Sequence, residues 1–112
     1  MARKRISTKI RERIENNENL LSIASIWEMA IKHSTGKLTF CLPFEVFIEQ
    51  QLSVNKIELL NINLNHIAVV ATLPFHHRAP FDRLIIAQAM VEYLPILSAD
   101  SAFDAYPIER FW

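Results

Sequence analysis

A chain of 112 residues can build one core but not two, and a hydrophobic share of 51% with a single glycine calls for packed structure and short connections. Twelve basic and twelve acidic side chains cancel to a formal net charge of +0 at pH 7, so bulk charge directs the chain neither to nucleic acid nor to an anionic membrane. No apolar run approaches the roughly 18 residues that cross a bilayer, the basic start lacks a signal peptide's apolar stretch, and the lone Cys41 cannot form an internal disulfide; the expectation is a cytoplasmic protein with no membrane partner.

In chain order, residues 3–16 read as a helix, because Ile6, Ile10 and Ile14 recur every fourth position with charges between them. Six of the twelve basic residues (Arg3, Lys4, Arg5, Lys9, Arg11, Arg13) fall here, a cationic face that either follows a phosphate backbone or is simply solvated. Asn16 to Asn19 reads as a turn, Leu20 to Ala24 as a short strand, and Ser25 to about Ser34 as a helix stopped near Gly36. Phe44 to Leu52 follows Pro43 as an amphipathic helix, Lys56 to Ile62 alternates like a strand, and Asn63 to Leu73 returns to helix. The spacing then predicts a helix over 80–93, a buried strand over 94–98, a tight turn or one helical turn over 100–106 and a terminal strand over 108–112.

Strands separated by helical segments imply crossover connections and a parallel sheet covered on both faces, an α/β fold in which chemistry collects at the carboxyl edge of the strands. The most informative segment is Pro80-Phe-Asp-Arg-Leu-Ile-Ile-Ala-Gln-Ala89. Pro80 suits a first helical position, Asp82 lies where the helix dipole favours negative charge, and the apolar run that follows must be covered on most sides. Asp82 is thus an acid held at the rim of a core, either as a metal ligand or merely as a favourable helix start. Glu28 and Asp100 are the other candidate acids. Each has a structural explanation beside the functional one: Ser25-x-x-Glu28 has the form of a capping box, and Asp100 can cap the turn that follows it. Adjacent His76 and His77 do not face one way and have no Cys or carboxylate at zinc spacing, which argues against zinc. Arg78 and Arg83 flank Asp82, to contact phosphates or to pair with the acids. Ser98 is placed either to position water or phosphate or to bond the backbone at a strand end. Trp27, Phe81 and Phe103 read as core, and Trp112 as packing against the last strand or a subunit contact.

Three strings, Ser22-Ile-Ala-Ser-Ile-Trp-Glu-Met-Ala-Ile-Lys32 followed by Gly36-Lys-Leu38, Pro80 to Ala89, and Leu97-Ser-Ala-Asp-Ser-Ala-Phe103, resemble the PIN-domain ribonucleases, and most of all the VapC-like toxins of type II toxin–antitoxin pairs. The resemblance runs from about residue 3 to the C-terminus in the family's order. It implies a single PIN-like domain over 1–112, a three-layer α/β/α arrangement with a parallel central sheet, and a metal-dependent endoribonuclease. By position it makes Glu28, Asp82 and Asp100 the catalytic, magnesium- or manganese-holding acids, with Asp104 as an auxiliary ligand. RNA is the implied substrate, a small antitoxin the implied partner, and a homodimer the expected assembly. Two departures accompany it. Nothing in Met1–Asn19 matches the family's opening strand with its aspartate, so that central strand is expected to be missing, and Ala79 stands where relatives commonly carry another aspartate. The missing strand predicts either a sheet in which the Leu20 and Pro95 strands meet or strand exchange between protomers. It also leaves an alternative function, a catalytically impaired PIN-like remnant that binds protein. The nuclease reading requires the three acids, from distant parts of the chain, to share one pocket.

Overall fold

The computed structural model describes residues 18–75 and 79–112. The helix expected over 3–16 and the residues His76, His77 and Arg78 lie outside them. The described chain forms β1 (Asn19–Ser22), α1 (Ile23–Ser34), α2 (Phe44–Val54), β2 (Ile57–Leu60), α3 (Leu64–Val70), α4 (Pro80–Glu92), β3 (Ile96–Leu97), a 3-10 helix (Ser101–Ala105) and β4 (Arg110–Phe111). Each lies close to the position its sequence pattern predicts. Among the described residues, no helix is long and apolar enough to cross a membrane. The chain divides into two units, one of Glu18–Ile62 and the other containing Asn63–Trp112.

In the first unit β1 and β2 run parallel, Leu20 opposite Glu58, with α1 and α2 as the crossover that parallel pairing requires. The first helix starts earlier than its capping-box spacing suggests. Ser22 is the N-cap, in extended conformation, and its hydroxyl accepts from the Ala24 N–H at 3.1 Å. Ser25 is therefore inside the helix, and the Ser25–Glu28 capping box is corrected: two serines compete for one role, and the end of β1 at Ser22 decides between them. The helix stops as expected. Gly36 takes φ 79, its N–H donates to His33 O at 3.1 Å, and the Lys37 N–H donates to Lys32 O at 2.9 Å, a Schellman motif. Beyond it, Phe40 packs on Phe47 with centroids 4.4 Å apart and on His33 at 5.3 Å, fastening the connection to α2.

The second unit holds the main core: Leu73, Ile86, Ala87, Ala89, Ile96, Phe103 and Tyr106 are buried together, with Val69, Val70, Ile85, Met90 and Ile108 packed against them. Its centre is α4. Pro80 occupies the first turn as the sequence predicts, and the buried residues include not only Ile86, Ala87 and Ala89 but also the polar Arg83 and Gln88. The strands β3 and β4 pair in parallel, Ile96 opposite Arg110 and Leu97 opposite Phe111. The strands therefore find partners as two two-stranded sheets, β1 with β2 and β3 with β4. The Leu20 strand thus takes β2 as its parallel neighbour and the Pro95 strand takes β4.

Helix α4 ends at Tyr93, a non-glycine residue in the left-handed region (φ 55, ψ 45) whose N–H donates to Ala89 O. That conformation costs an L-residue about 1–2 kcal/mol, and glycine escapes most of it at the expense of a more flexible unfolded chain. Tyr93 is 93% exposed, so little packing is at stake. Tyr93→Gly should therefore raise stability by about 0.5–1 kcal/mol, read as a higher urea midpoint at unchanged m-value.

Candidate active site

Asp100 is the best supported of the candidate acids. The β3–β4 ladder continues past Leu97 through the Ser98 N–H, which donates to Phe111 O at 3.1 Å, and the chain turns immediately afterwards. Asp100 is extended (φ −80, ψ 105) and caps the 3-10 helix, its Oδ1 accepting from the Ala102 N–H at 2.9 Å. Its own N–H donates to Ser98 Oγ at 3.1 Å. The carboxylate is thus exposed at the carboxyl edge of a strand, held by the Ala102 amide, while the Asp100 backbone is tied to the Ser98 hydroxyl. Capping and presentation are one arrangement here, since a single oxygen satisfies the cap. Ser98 makes the strand-end bond to backbone.

Asp104 is placed differently. Arg110 Nε donates to its Oδ1 at 2.8 Å and Arg110 Nη2 to its Oδ2 at 2.9 Å, a bidentate ion pair. These hydrogen bonds, opposed by desolvation and aided by the positive charge, hold the Asp104 carboxyl below its ordinary value of 3.8. The same bonds push the Arg110 guanidinium up. With both oxygens engaged by a fixed cation, Asp104 serves as an anchor for Arg110, a pairing with which an auxiliary metal-ligand role would compete.

Asp82 sits in the first turn of α4 and is half-buried. Ala79, at the N-cap, supplies no side-chain bond, so Asp82 is the acid that complements this helix start. Next to it, Arg83 is only 7% exposed and turned inward. Its Nη1 donates to Pro74 O at 3.0 Å, its Nη2 to Val70 O at 3.1 Å and to Leu73 O at 3.2 Å, and the Phe75 ring lies 4.4 Å from the guanidinium carbon. The expected contact of Arg83 with RNA phosphates is corrected accordingly. A buried guanidinium finds several carbonyls at the end of α3, and the sequence cannot display that geometry.

Glu28 belongs to the other unit. It lies within α1, half-buried, and its Oε2 accepts from Lys32 Nζ at 3.4 Å across one turn. Such a pair is worth only about 0.3–0.5 kcal/mol and leaves the carboxylate easily redirected.

Among the described residues, no group of three or more His, Cys, Asp and Glu side chains is gathered as a metal site. A magnesium-like cation nevertheless needs only one or two protein carboxylates, the remaining positions being water or phosphate oxygens. Asp100, a hard oxygen donor with one oxygen held by backbone, fits that requirement, whereas Asp104 does not. Two interactions escape any reading of local spacing: the Arg110 clamp, which depends on the β3–β4 register, and a bond between His66 of α3 and Glu92 of α4 at 2.9 Å.

No curated protein and no solved structure matches the chain. The family model described as PIN domain matches residues 2–109. Nearly the whole chain is covered, and the α/β composition with parallel strand pairs agrees with it. The protein therefore belongs to the PIN domain family, whose members are generally metal-dependent nucleases acting on RNA or DNA, typically with Mg or Mn.

Proposed function

We propose that this chain is a metal-dependent endoribonuclease of the VapC-like toxin type, with RNA as substrate, a small antitoxin as partner and a homodimer as its assembly. The observation that carries the reading is Asp100, exposed at the carboxyl edge of β3 and fixed by the Ser98 hydroxyl and the Ala102 amide, within a string that matches the family. Asp82, in the first turn of α4, is the second proposed ligand. Glu28 is kept as a proposed ligand on its motif alone. A divalent ion, when bound, supplies Lewis acidity and an activated water. The chain's own part is to hold Asp100 at a set angle, to keep Asp82 at a rigid helix start, and to bring phosphate oxygens near them. Arg78 remains a proposed phosphate contact.

The test is manganese-dependent cleavage of RNA by the purified chain. Asp82→Ala and Asp100→Ala should each lower the rate by about 100-fold or more, the several kcal/mol that a metal ligand controls, while Arg3→Ala leaves it within a few-fold. Cleavage that survives both aspartate substitutions sinks the assignment. A second reading, a PIN-like module that binds protein without catalysis, draws on Trp27 and Ile31, exposed one turn apart on α1. It predicts association with a partner or with itself, and no manganese-dependent cleavage.

A further inference from the structure

We propose that Arg110 is the positioning residue of the Asp100 loop. The inference rests on the proposed role of Asp100 and adds the device that holds it. Three bonds of one guanidinium tie together the two ends of the segment from Ser98 to Asp104. Nη1 donates to Ser98 O at 3.2 Å, where β3 ends, while Nε and Nη2 grip Asp104 within the 3-10 helix. Between these points lies Asp100, whose N–H bonds back to Ser98 Oγ and whose carboxylate bonds forward to Ala102. The loop is thus closed twice, once by the Ser98 and Asp100 side chains bonding nearby amides and once by Arg110.

Arg110 is itself fixed, because β4 pairs it with Ile96 and the Ile96 N–H donates to Glu109 O at 2.9 Å. Its planar fork is suited to this task. A carboxylate and a carbonyl in different directions are met by one rigid group, which a lysine ammonium on a flexible stem cannot reproduce. The arrangement also separates two acids that the sequence presents as equivalent. Asp104 engages the fixed cation through both oxygens, and Asp100 remains the oxygen donor for an exchangeable one. Groups that orient a metal ligand typically control affinity by about 10–100-fold without touching the ion.

The experiment compares Arg110→Met, Arg110→Lys, Asp104→Asn and Asp100→Asn by amide hydrogen exchange without metal and by manganese binding followed through the EPR signal of the free ion. In Arg110→Met the Asp100, Ala102 and Phe103 amides should exchange about tenfold faster, while the Ala87 amide in the core is unchanged. The manganese Kd should rise by about 10–100-fold. Arg110→Lys should recover part of both effects, and Asp104→Asn should reproduce the exchange pattern from the opposite side of the clamp. Asp100→Asn should abolish manganese binding with the Phe103 amide still protected. Unchanged exchange at all three loop amides in Arg110→Met overturns the positioning role. If the unmutated chain takes up no manganese, the nuclease reading fails, and faster loop exchange in Arg110→Met still upholds the clamp.

Discussion

Replacing Arg83 by alanine should lower the unfolding free energy by about 3–5 kcal/mol, among the largest losses available to a single side chain here. The guanidinium is buried and donates to the carbonyls of Val70, Leu73 and Pro74 at 3.1, 3.2 and 3.0 Å. These carbonyls belong to the last turn of α3 and the chain leaving it, where the regular helical N–H donors run out and Val70 O keeps a backbone partner, the Leu73 N–H at 3.3 Å. A hydrogen bond from a charged donor contributes about 1.5–3 kcal/mol, so simple addition gives a larger figure than the one expected. Two effects reduce it. Pro74 O keeps the Tyr106 hydroxyl at 3.2 Å, and water entering the vacated space hydrates part of what remains. Arg83→Lys should recover less than half of the loss, because one ammonium cannot reach three carbonyls in a fan. Thermal unfolding should show a fall of at least roughly 12 °C for Arg83→Ala, at about 4 °C or more per kcal/mol for a chain of this size. Tyr106→Phe, which removes only the second donor to Pro74, should cost about 0.5–1.5 kcal/mol. A loss under about 1 kcal/mol for Arg83→Ala would mean that the guanidinium is solvated in solution and is free to meet phosphate after all.

Arg83 also marks where the sequence stops being legible. The helix that carries it was readable to within a residue at each end, because proline at the first position and a long apolar run are local properties. The stop of α1 was readable for the same reason, since glycine's tolerance of positive φ belongs to the residue itself. An arginine beside an acid, by contrast, looks the same whether it faces phosphate or is buried beneath a turn. Only tertiary placement decides, and the carbonyls that decided lie nine or more positions earlier in the chain. The start of α1 shows a milder form of the problem: Ser22 and Ser25 both suit an N-cap, and strand pairing chose the first. The candidate site divides likewise. Asp100 at the end of a strand was visible from the switch between an apolar run and a turn. Its clamp was not, because Arg110 reaches Ser98 O and Asp104 only once β4 lies parallel to β3 in one particular register.

His66→Ala should cost about 2–4 kcal/mol, and the order of its companion variants should reveal the kind of bond that joins α3 to α4. His66 is 0% exposed. The Asn63 N–H donates to its Nδ1 at 3.1 Å, so that nitrogen carries no proton, and the proton on Nε2 is donated to Glu92 Oε1 at 2.9 Å. In return the His66 N–H donates to Asn63 Oδ1 at 3.1 Å, which completes a capping box with a histidine in the place usually held by Glu or Gln. Removing the imidazole leaves a cavity and orphans the Asn63 amide; losing only the Asn63 side chain should cost about 1 kcal/mol. His66→Asn is the informative variant, because its Oδ1 can replace Nδ1 as the acceptor but the side chain is too short to reach Glu92. It should recover roughly 1 kcal/mol relative to alanine. Glu92 is 38% exposed and ends a helix whose dipole disfavours negative charge there, so its charge adds little while its oxygen still accepts. Glu92→Gln should accordingly be near neutral, within about 0.5 kcal/mol. The expected ranking is His66→Ala, then His66→Asn, then Glu92→Gln, measured by urea denaturation. A Glu92→Gln loss as large as that of His66→Ala would instead make the contact an ion pair and remove the assigned tautomer with it.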